Sequence, residues 1–319
     1  MHDAVNAPRS VGATVLLGAS QAEGGSRIRA LSVGGRAALP YMDETHVAPP
    51  VIAAGFSDVF PDDAWPAYAR TFNPAVCRDP FRWLDALLAG EPDAVCVRLK
   101  SCHPDEGNNG SDYAAGFVTE LLRRTSLPVI VLGCDHPERD CEVLPAICRR
   151  VRGERLLVGM ATKDNYREIA AAAMDAGHAV IAQTPLDINL AKQLNILIND
   201  AGMPLDRIVM HHTTGGLGYG FEYCYSIMER CRQAASQGDA VMSVPIMNLV
   251  NEETWKTKEA RADAVEEPGW GTDPVARGVI WETVTAMAYI HAGADILVLS
   301  HPESMRALRA AVRVPTALA

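Results

Sequence analysis

Eight short apolar runs, each separated from the next by a stretch of helical character, set the limits on what this 319-residue chain can become. The runs are Val51–Ala54, Ala94–Arg98, Val129–Leu132, Leu156–Val158, Ala179–Ala182, Ile208–Met210, Val241–Val244 and Ile296–Leu299. Strands buried on both faces read this way, as continuous apolar runs without polar alternation. Helical patterns fall between them at Phe81–Leu88, Asp112–Arg124, Glu138–Arg150, Asp164–Ala176, Pro185–Asn199, Tyr219–Gln237 and Ile280–His291, and a last one starts near Glu303. Strands alternating with helices point to parallel α/β architecture. Eight such units at this length give a single (β/α)₈ barrel. Two further runs, Thr14–Leu17 and Ile28–Val33, flank a Gly-rich turn and read as an N-terminal hairpin outside the barrel. The expected division is therefore a hairpin extension over 1–45 and a barrel over 46–319.

Two helix starts look well marked. Thr184-Pro185-Leu186-Asp187 offers Thr184 as N-cap with Pro185 in the first turn. Ser300 to Glu303 has capping-box spacing. One connection is unusual: from Ile246 to Arg277 no strand is expected, yet the segment holds Trp255 and Trp270. A long loop in a compact domain is functional or disordered as a rule, and after a barrel strand it lies on the C-terminal face.

Charge narrows the partners. The net charge is −10, with a pI near 5.4. Such a surface repels phosphate backbones and anionic lipid, so neither nucleic acid nor a membrane is expected as partner. No apolar run approaches a membrane span, and Met1–Ser10 is polar, so a cytoplasmic protein with its eight cysteines reduced is expected.

The most informative segment runs from Met210 to Glu222 and carries Gly215, Gly216, Gly218 and Gly220. Glycines there allow close backbone approach, and the start of a helix offers unpaired amides to an acceptor. The spacing is not that of a dinucleotide fingerprint. His211 and His212 are adjacent, so on a strand they point to opposite sides and only one can face the barrel mouth. Either is a candidate for proton transfer, against a buried structural histidine. Cys141 and Cys148 are seven residues apart, as are Cys224 and Cys231, which places each pair on one helix face. With no C-x-x-C present, they read as core packing and no metal site is expected. Cys134, at the end of a strand, is the one expected to reach the active face. Lys100–Asn109 is a polar loop with a cysteine, a histidine and two carboxylates. Asn248 and Asn251 could donate to a ligand, and Ser300 and His301 end the last strand.

Longer strings add a resemblance. They include Pro185-Leu186-Asp187-Ile188-Asn189 with Lys192–Asn199, and Gly215–Gly220 with Glu222-Tyr223. Trp255 with Lys258-Glu259-Ala260, Pro268-Gly269-Trp270-Gly271, Trp281-Glu282 and His301-Pro302-Glu303 continue the pattern. Over roughly residues 12 to 310 the chain resembles the small (delta) subunit of the corrinoid iron–sulfur protein of CO dehydrogenase/acetyl-CoA synthase. That resemblance implies a (β/α)₈ barrel paired with a larger subunit that carries a 4Fe–4S cluster, with a cobamide held between the two. It implies methyl transfer from a methyl-tetrahydropterin, through a separate methyltransferase, to cobalt and on to acetyl-CoA synthase. The chain would then be part of a corrinoid-dependent methyltransferase complex. By position it puts Thr213, Thr214, Gly215 and Gly216 at the cofactor. Gly218, Thr184, Asn248, Ser300 and His301 complete the expected set, with His211 and His212 as catalytic candidates. The chain departs from the family's expected Asp-Pro pair at His211-His212, and in the Cys134–Pro137 and Lys100–Asn109 stretches. Those departures fall at strand ends and suggest a different methyl donor, acceptor or cofactor contact. Two other readings stay open: a stand-alone pterin-dependent methyltransferase of barrel type, and a structural subunit that only docks a partner.

Overall fold

The computed structural model describes residues 11–42, 49–60, 65, 68, 74–262 and 265–313. The expected boundary at 45/46 lies outside them. A two-stranded antiparallel hairpin, β1 (Thr14–Leu17) and β2 (Leu31–Gly34), precedes the barrel. Its second arm starts later than the apolar run suggested, because Ile28 faces solvent. The barrel strands are β3 (Val51–Ser57), β4 (Ala94–Arg98), β5 (Val129–Leu132), β6 (Leu157–Ala161), β7 (Ala179–Thr184), β8 (Ile208–His212), β9 (Ile246–Asn248) and β10 (Ile296–Leu299). They are parallel and pair in chain order, and β10 closes on β3. Around them lie α1 (Pro80–Leu88), α2 (Ser111–Arg124), α3 (Pro137–Arg150), α4 (Tyr166–Ala176), α5 (Ile188–Asp200), α6 (Phe221–Ser236), α7 (Pro274–His291) and α8 (Pro302–Arg313).

Strand parity divides the core in two. Ala53, Cys96, Ile130, Leu157, Ile181, Val209, Met247 and Val298 point into the barrel. Their neighbours Ala54, Val97, Val131, Val158, Ala182, Met210, Ile246 and Leu299 pack outward under the helices. Val15, Leu17 and Val33 of the hairpin join the interior cluster and plug its N-terminal end. Burying each contributes roughly 2 kcal/mol. The opposite, C-terminal end is left open for chemistry.

The seventh strand was misplaced in sequence. Ala240–Met242 is a turn of 3-10 helix, and the strand is Ile246–Asn248. Both apolar runs flank Pro245, which has no N–H to give a ladder. Ile246 instead opens the strand by donating to Asp295 Oδ2 at 2.8 Å. Asp295 is held in turn by the fully buried Arg232. The connection after β9 is thus shorter than expected. Among the described residues it carries two brief α-helical segments, Val250–Thr254 and Lys258–Arg261, and a 3-10 turn at Pro268–Trp270, and Trp255 is fully buried.

Both expected caps are corrected as well. The N-cap of α5 is Asp187, whose carboxylate accepts from Asn189 N and Leu190 N at 2.7 and 3.1 Å, and Thr184 remains in β7. Ser300 forms no capping box. Its hydroxyl donates to Gly55 O at 2.6 Å and accepts from Asn251 Nδ2 at 2.9 Å, while His301 Nδ1 receives Glu303 N at 3.2 Å.

Candidate functional site at the C-terminal mouth

The last inward positions of four strands meet at the open end: Arg98 from β4, Met160 from β6, Gln183 from β7 and His211 from β8. Together with the loops after β5, β8 and β9 they enclose a cavity of about 300 Å³. Three hollows adjoin it. One of about 480 Å³ opens past Gln183 and Thr213 toward Leu190, Leu194 and Leu197. One of about 160 Å³ lies past Arg98 and Glu252, against Trp65, Trp83, Lys100 and Lys256. One of about 460 Å³ lies past Arg98 and Asp135, beside His103 and Cys134.

Arg98 borders three of these four spaces and is only 5% exposed. Its Nε and Nη2 donate to Glu252 at 2.6 and 3.1 Å, and its Nη1 donates to Asp135 at 2.7 Å. Burial disfavours the charged guanidinium. The adjacent Glu252 and Asp135 carboxylates outweigh that and hold its proton more tightly than usual. Asp135 holds a left-handed backbone at φ 65°, a conformation that costs a non-glycine residue energy. Its side chain is 59% exposed. Nearby Asp140 is buried and accepts from Cys134 N at 2.8 Å and Sγ at 3.3 Å. Burial pushes its carboxyl above the ordinary range.

Parity decides between the two histidines. His211 faces the mouth, and its Nδ1 lies 3.0 Å from Met247 O. A carbonyl can only accept, so Nδ1 carries the proton and Nε2 keeps its lone pair. Nε2 has no hydrogen-bond partner among the described residues, and the residue is 3% exposed. Burial lowers its pKa, against the pull of Met247 O, so the ring is neutral. His212 points outward under α6, 3.4 Å from Thr184 Oγ1 and 3.5 Å from Cys231 Sγ, with its pKa lowered to about 3 by burial first. It belongs to the core, and so does Asn248, whose Nδ2 faces the sulfurs of Cys224 and Met228.

Thr213 and Thr214 line the cavity. Thr214 Oγ1 is committed to Leu249 N at 3.0 Å. Gly215 is turned away: its N–H donates to Tyr289 Oη at 3.0 Å, and its carbonyl accepts from the same hydroxyl at 2.6 Å. A Cβ on Gly215 would meet the Gly220 backbone at 2.5 Å, so the glycines close a tight turn. Gly216 and Gly218 belong to that turn and do not line the mouth. Thr184 borders only the 480 Å³ hollow. Ser300 and His301 are buried outside the mouth cavity, with His301 packed on Trp255. Cys134 does reach this face and lines the hollow beside His103. Arg98, Gln183 and Glu252 were not singled out from sequence. The signal was there for Arg98, a charge ending the apolar run Ala94–Val97 at inward parity.

Residues 14–312 match the family described as CO dehydrogenase/acetyl-CoA synthase delta subunit. The chain belongs to that family. The delta subunit of the acetyl-CoA decarbonylase/synthase complex of Methanopyrus kandleri is 32% identical over 94% of this chain and 74% of its own length. That of Methanosarcina mazei is 33% identical over 92% of this chain and 68% of its own. Among solved structures, a dihydropteroate synthase from Coxiella burnetii superposes with a TM-score of 0.55 at 11% identity, over 83% of this chain and 93% of that one. The dihydropteroate synthase of Thermus thermophilus gives 0.52 at 17%, over 96% and 100%. At such identity the likeness carries the barrel fold alone. No helix among the described residues is long and apolar enough to cross a membrane.

Proposed function

We propose that this family member is the corrinoid-facing subunit of a methyl-carrier complex of the acetyl-CoA decarbonylase/synthase kind. Its relatives' place in that complex supports the reading, and so does the width of its C-terminal face. A corrin is too large for a 300 Å³ cavity, but the cavity and its three hollows form one broad polar face over which a macrocycle can lie. When bound, a cobamide supplies the cobalt that accepts and releases a methyl group.

The observation that carries the fit is an orphaned acceptor at this face. Ser300 gives its hydroxyl proton to Gly55 O, so Asn251 must turn its NH₂ toward Ser300. Asn251 Oδ1 is left buried without a hydrogen-bond partner, on the wall of the hollow that also holds Lys100 and Lys256. A primary amide on a corrin rim would donate to Asn251 and accept from a lysine. Thr213, exposed at the mouth, is the other side chain suited to such amides. The chain's own part is to bind, orient and exclude water from the cobalt face. The larger partner would carry the 4Fe–4S cluster and the other side of the cobamide, with a methyltransferase and acetyl-CoA synthase docking transiently.

The test is a visible absorption spectrum of the chain with a cobamide under anaerobic conditions, alone and with its larger subunit. A bound-corrinoid spectrum that needs both chains and shifts on methylation supports the proposal. No binding in either case moves a stand-alone barrel enzyme to the front. Normal loading by Thr213→Val together with Asn251→Leu would leave these side chains idle and favour a purely structural subunit.

A further inference from the structure

We propose that the mouth cavity is a binding site for a small protonated amine, whose N–H donates to His211 Nε2 while its charge answers the carboxylates around Arg98. As a substrate class, an amine-type methyl donor or acceptor, this rests on reading the mouth as the place of methyl transfer. As a binding site it stands on the cavity alone.

Size comes first. About 300 Å³ takes one small molecule and excludes a macrocycle. Charge comes second. Asp135, Asp140, Glu252 and Glu253 line the space, and Arg98 is the sole cationic side chain among its described lining residues. Glu253 is answered from outside by Lys256 at 2.8 Å. Arg98 must serve both Glu252 and Asp135, so negative charge is in surplus. A ligand anion would meet that surplus and the lone pair of His211 together.

Hydrogen bonding comes third and is independent of charge. His211 is nearly wholly buried, fixed by Met247 O, and presents an unpartnered acceptor on the wall of the same cavity. Its ligand must be a donor. An alcohol would satisfy the imidazole but gain nothing from the carboxylates. A quaternary ammonium would gain from the carboxylates but has no N–H, and no Phe, Tyr or Trp ring stands among the described lining residues to replace it. A protonated primary, secondary or tertiary amine satisfies both.

Isothermal titration of the full chain with dimethylammonium, tetramethylammonium and acetate, at constant ionic strength and pH 7.5, tests the proposal. Dimethylammonium should bind at least about tenfold tighter than tetramethylammonium, as expected for one hydrogen bond to a buried acceptor. Acetate should not bind. His211→Phe should remove the preference for the N–H-bearing cation. Asp135→Asn, a substitution that left-handed backbone tolerates, should weaken dimethylammonium several-fold and so tests the charge argument even if His211→Phe does not fold. Equal binding of the two cations, binding of acetate, no binding of either amine, or an affinity that Asp135→Asn leaves unchanged would each overturn it. The titration contains no corrinoid. Amine binding by a chain that never takes up a cobamide would therefore sink the methyl-carrier reading and leave this site standing, and the reverse result would do the opposite.

Discussion

Arg98 and Glu252 meet at two points, Nε to Oε1 at 2.6 Å and Nη2 to Oε2 at 3.1 Å, and this pair ties the end of β4 to the segment after β9 across the mouth. The fork of a guanidinium fits a carboxylate in this way, and a lysine could not reproduce it. Glu252→Gln keeps the shape but removes the charge opposite a buried cation. It should cost about 2 kcal/mol, the scale of a hydrogen bond to a charged group. Asp135→Asn should cost under about 1 kcal/mol, because an exposed partner is well screened. Urea midpoints of the two variants check this. An equal loss from both would mean that the exposed and the sheltered carboxylate hold Arg98 alike.

Tyr289 clamps the glycine turn. Its hydroxyl donates to Gly215 O and accepts from Gly215 N, so one atom serves both sides of a buried peptide unit. Tyr289→Phe leaves that N–H and C=O unpaired under α7, and should cost about 1–3 kcal/mol. Amide hydrogen exchange should rise across Thr213–Gly220 and stay unchanged in the hairpin at Thr14–Leu17. Unchanged exchange at Gly215 would show that water or another group takes over the clamp.

What could be read from the sequence follows a physical divide. Seven of the eight barrel strands were visible because burial on both faces demands apolar runs such as Val129–Leu132. The remaining one, the seventh in order, was shifted because Pro245 lies between two apolar runs, and only a tertiary contact, Asp295 with Ile246 N, decides between them. His211 against His212 was legible as a choice but not as an answer, since parity needs the strand's register against its neighbours. The Gly215–Gly220 segment looked like a ligand loop because glycine composition cannot tell a cradle from a turn. Tyr289, 74 residues away, makes it a turn. Arg98 and Glu252 are 154 residues apart, and nothing local announces that they pair.

Gly278 is where α7 lets Trp255 in. A Cβ there would lie 2.2 Å from the indole ring. Trp255 is fully buried and donates from Nε1 to Glu282 Oε1 at 3.0 Å, which anchors the segment after β9. Gly278→Ala must push the ring aside, and overpacking of this kind costs about 1–3 kcal/mol. Helix propensity would favour alanine by roughly 1 kcal/mol, so a net gain in stability would show that the ring moves freely. Tryptophan emission should shift to the red as Trp255 gains solvent, and the urea midpoint should fall.

Glu282 gives the fold an alkaline weakness. It is fully buried on α7, where it accepts from Trp255 Nε1 and from Ser300 N at 2.8 Å. Burial pushes its carboxyl from 4.5 up to about 7, and the hydrogen bonds from Ser300, Ser304 and Trp255 only partly oppose this. The unfolded chain releases that proton near 4.5, whereas the folded chain keeps it to about 7. The stability this contributes is complete below 4.5 and is lost as pH rises through 7. His178 and His301, lowered to about 4 by burial, act in the opposite sense and are lost as pH falls. Glu282→Gln retains an acceptor for Trp255 and Ser300 and does not titrate. Relative to the native chain, the variant should therefore gain roughly 2–3 kcal/mol between pH 5 and pH 8, while the acid limb set by the histidines stays in place. Urea unfolding of both proteins across that range reads the difference directly. A difference that does not change with pH would mean that Glu282 is already ionised in the folded chain and that its charge is compensated within the fold.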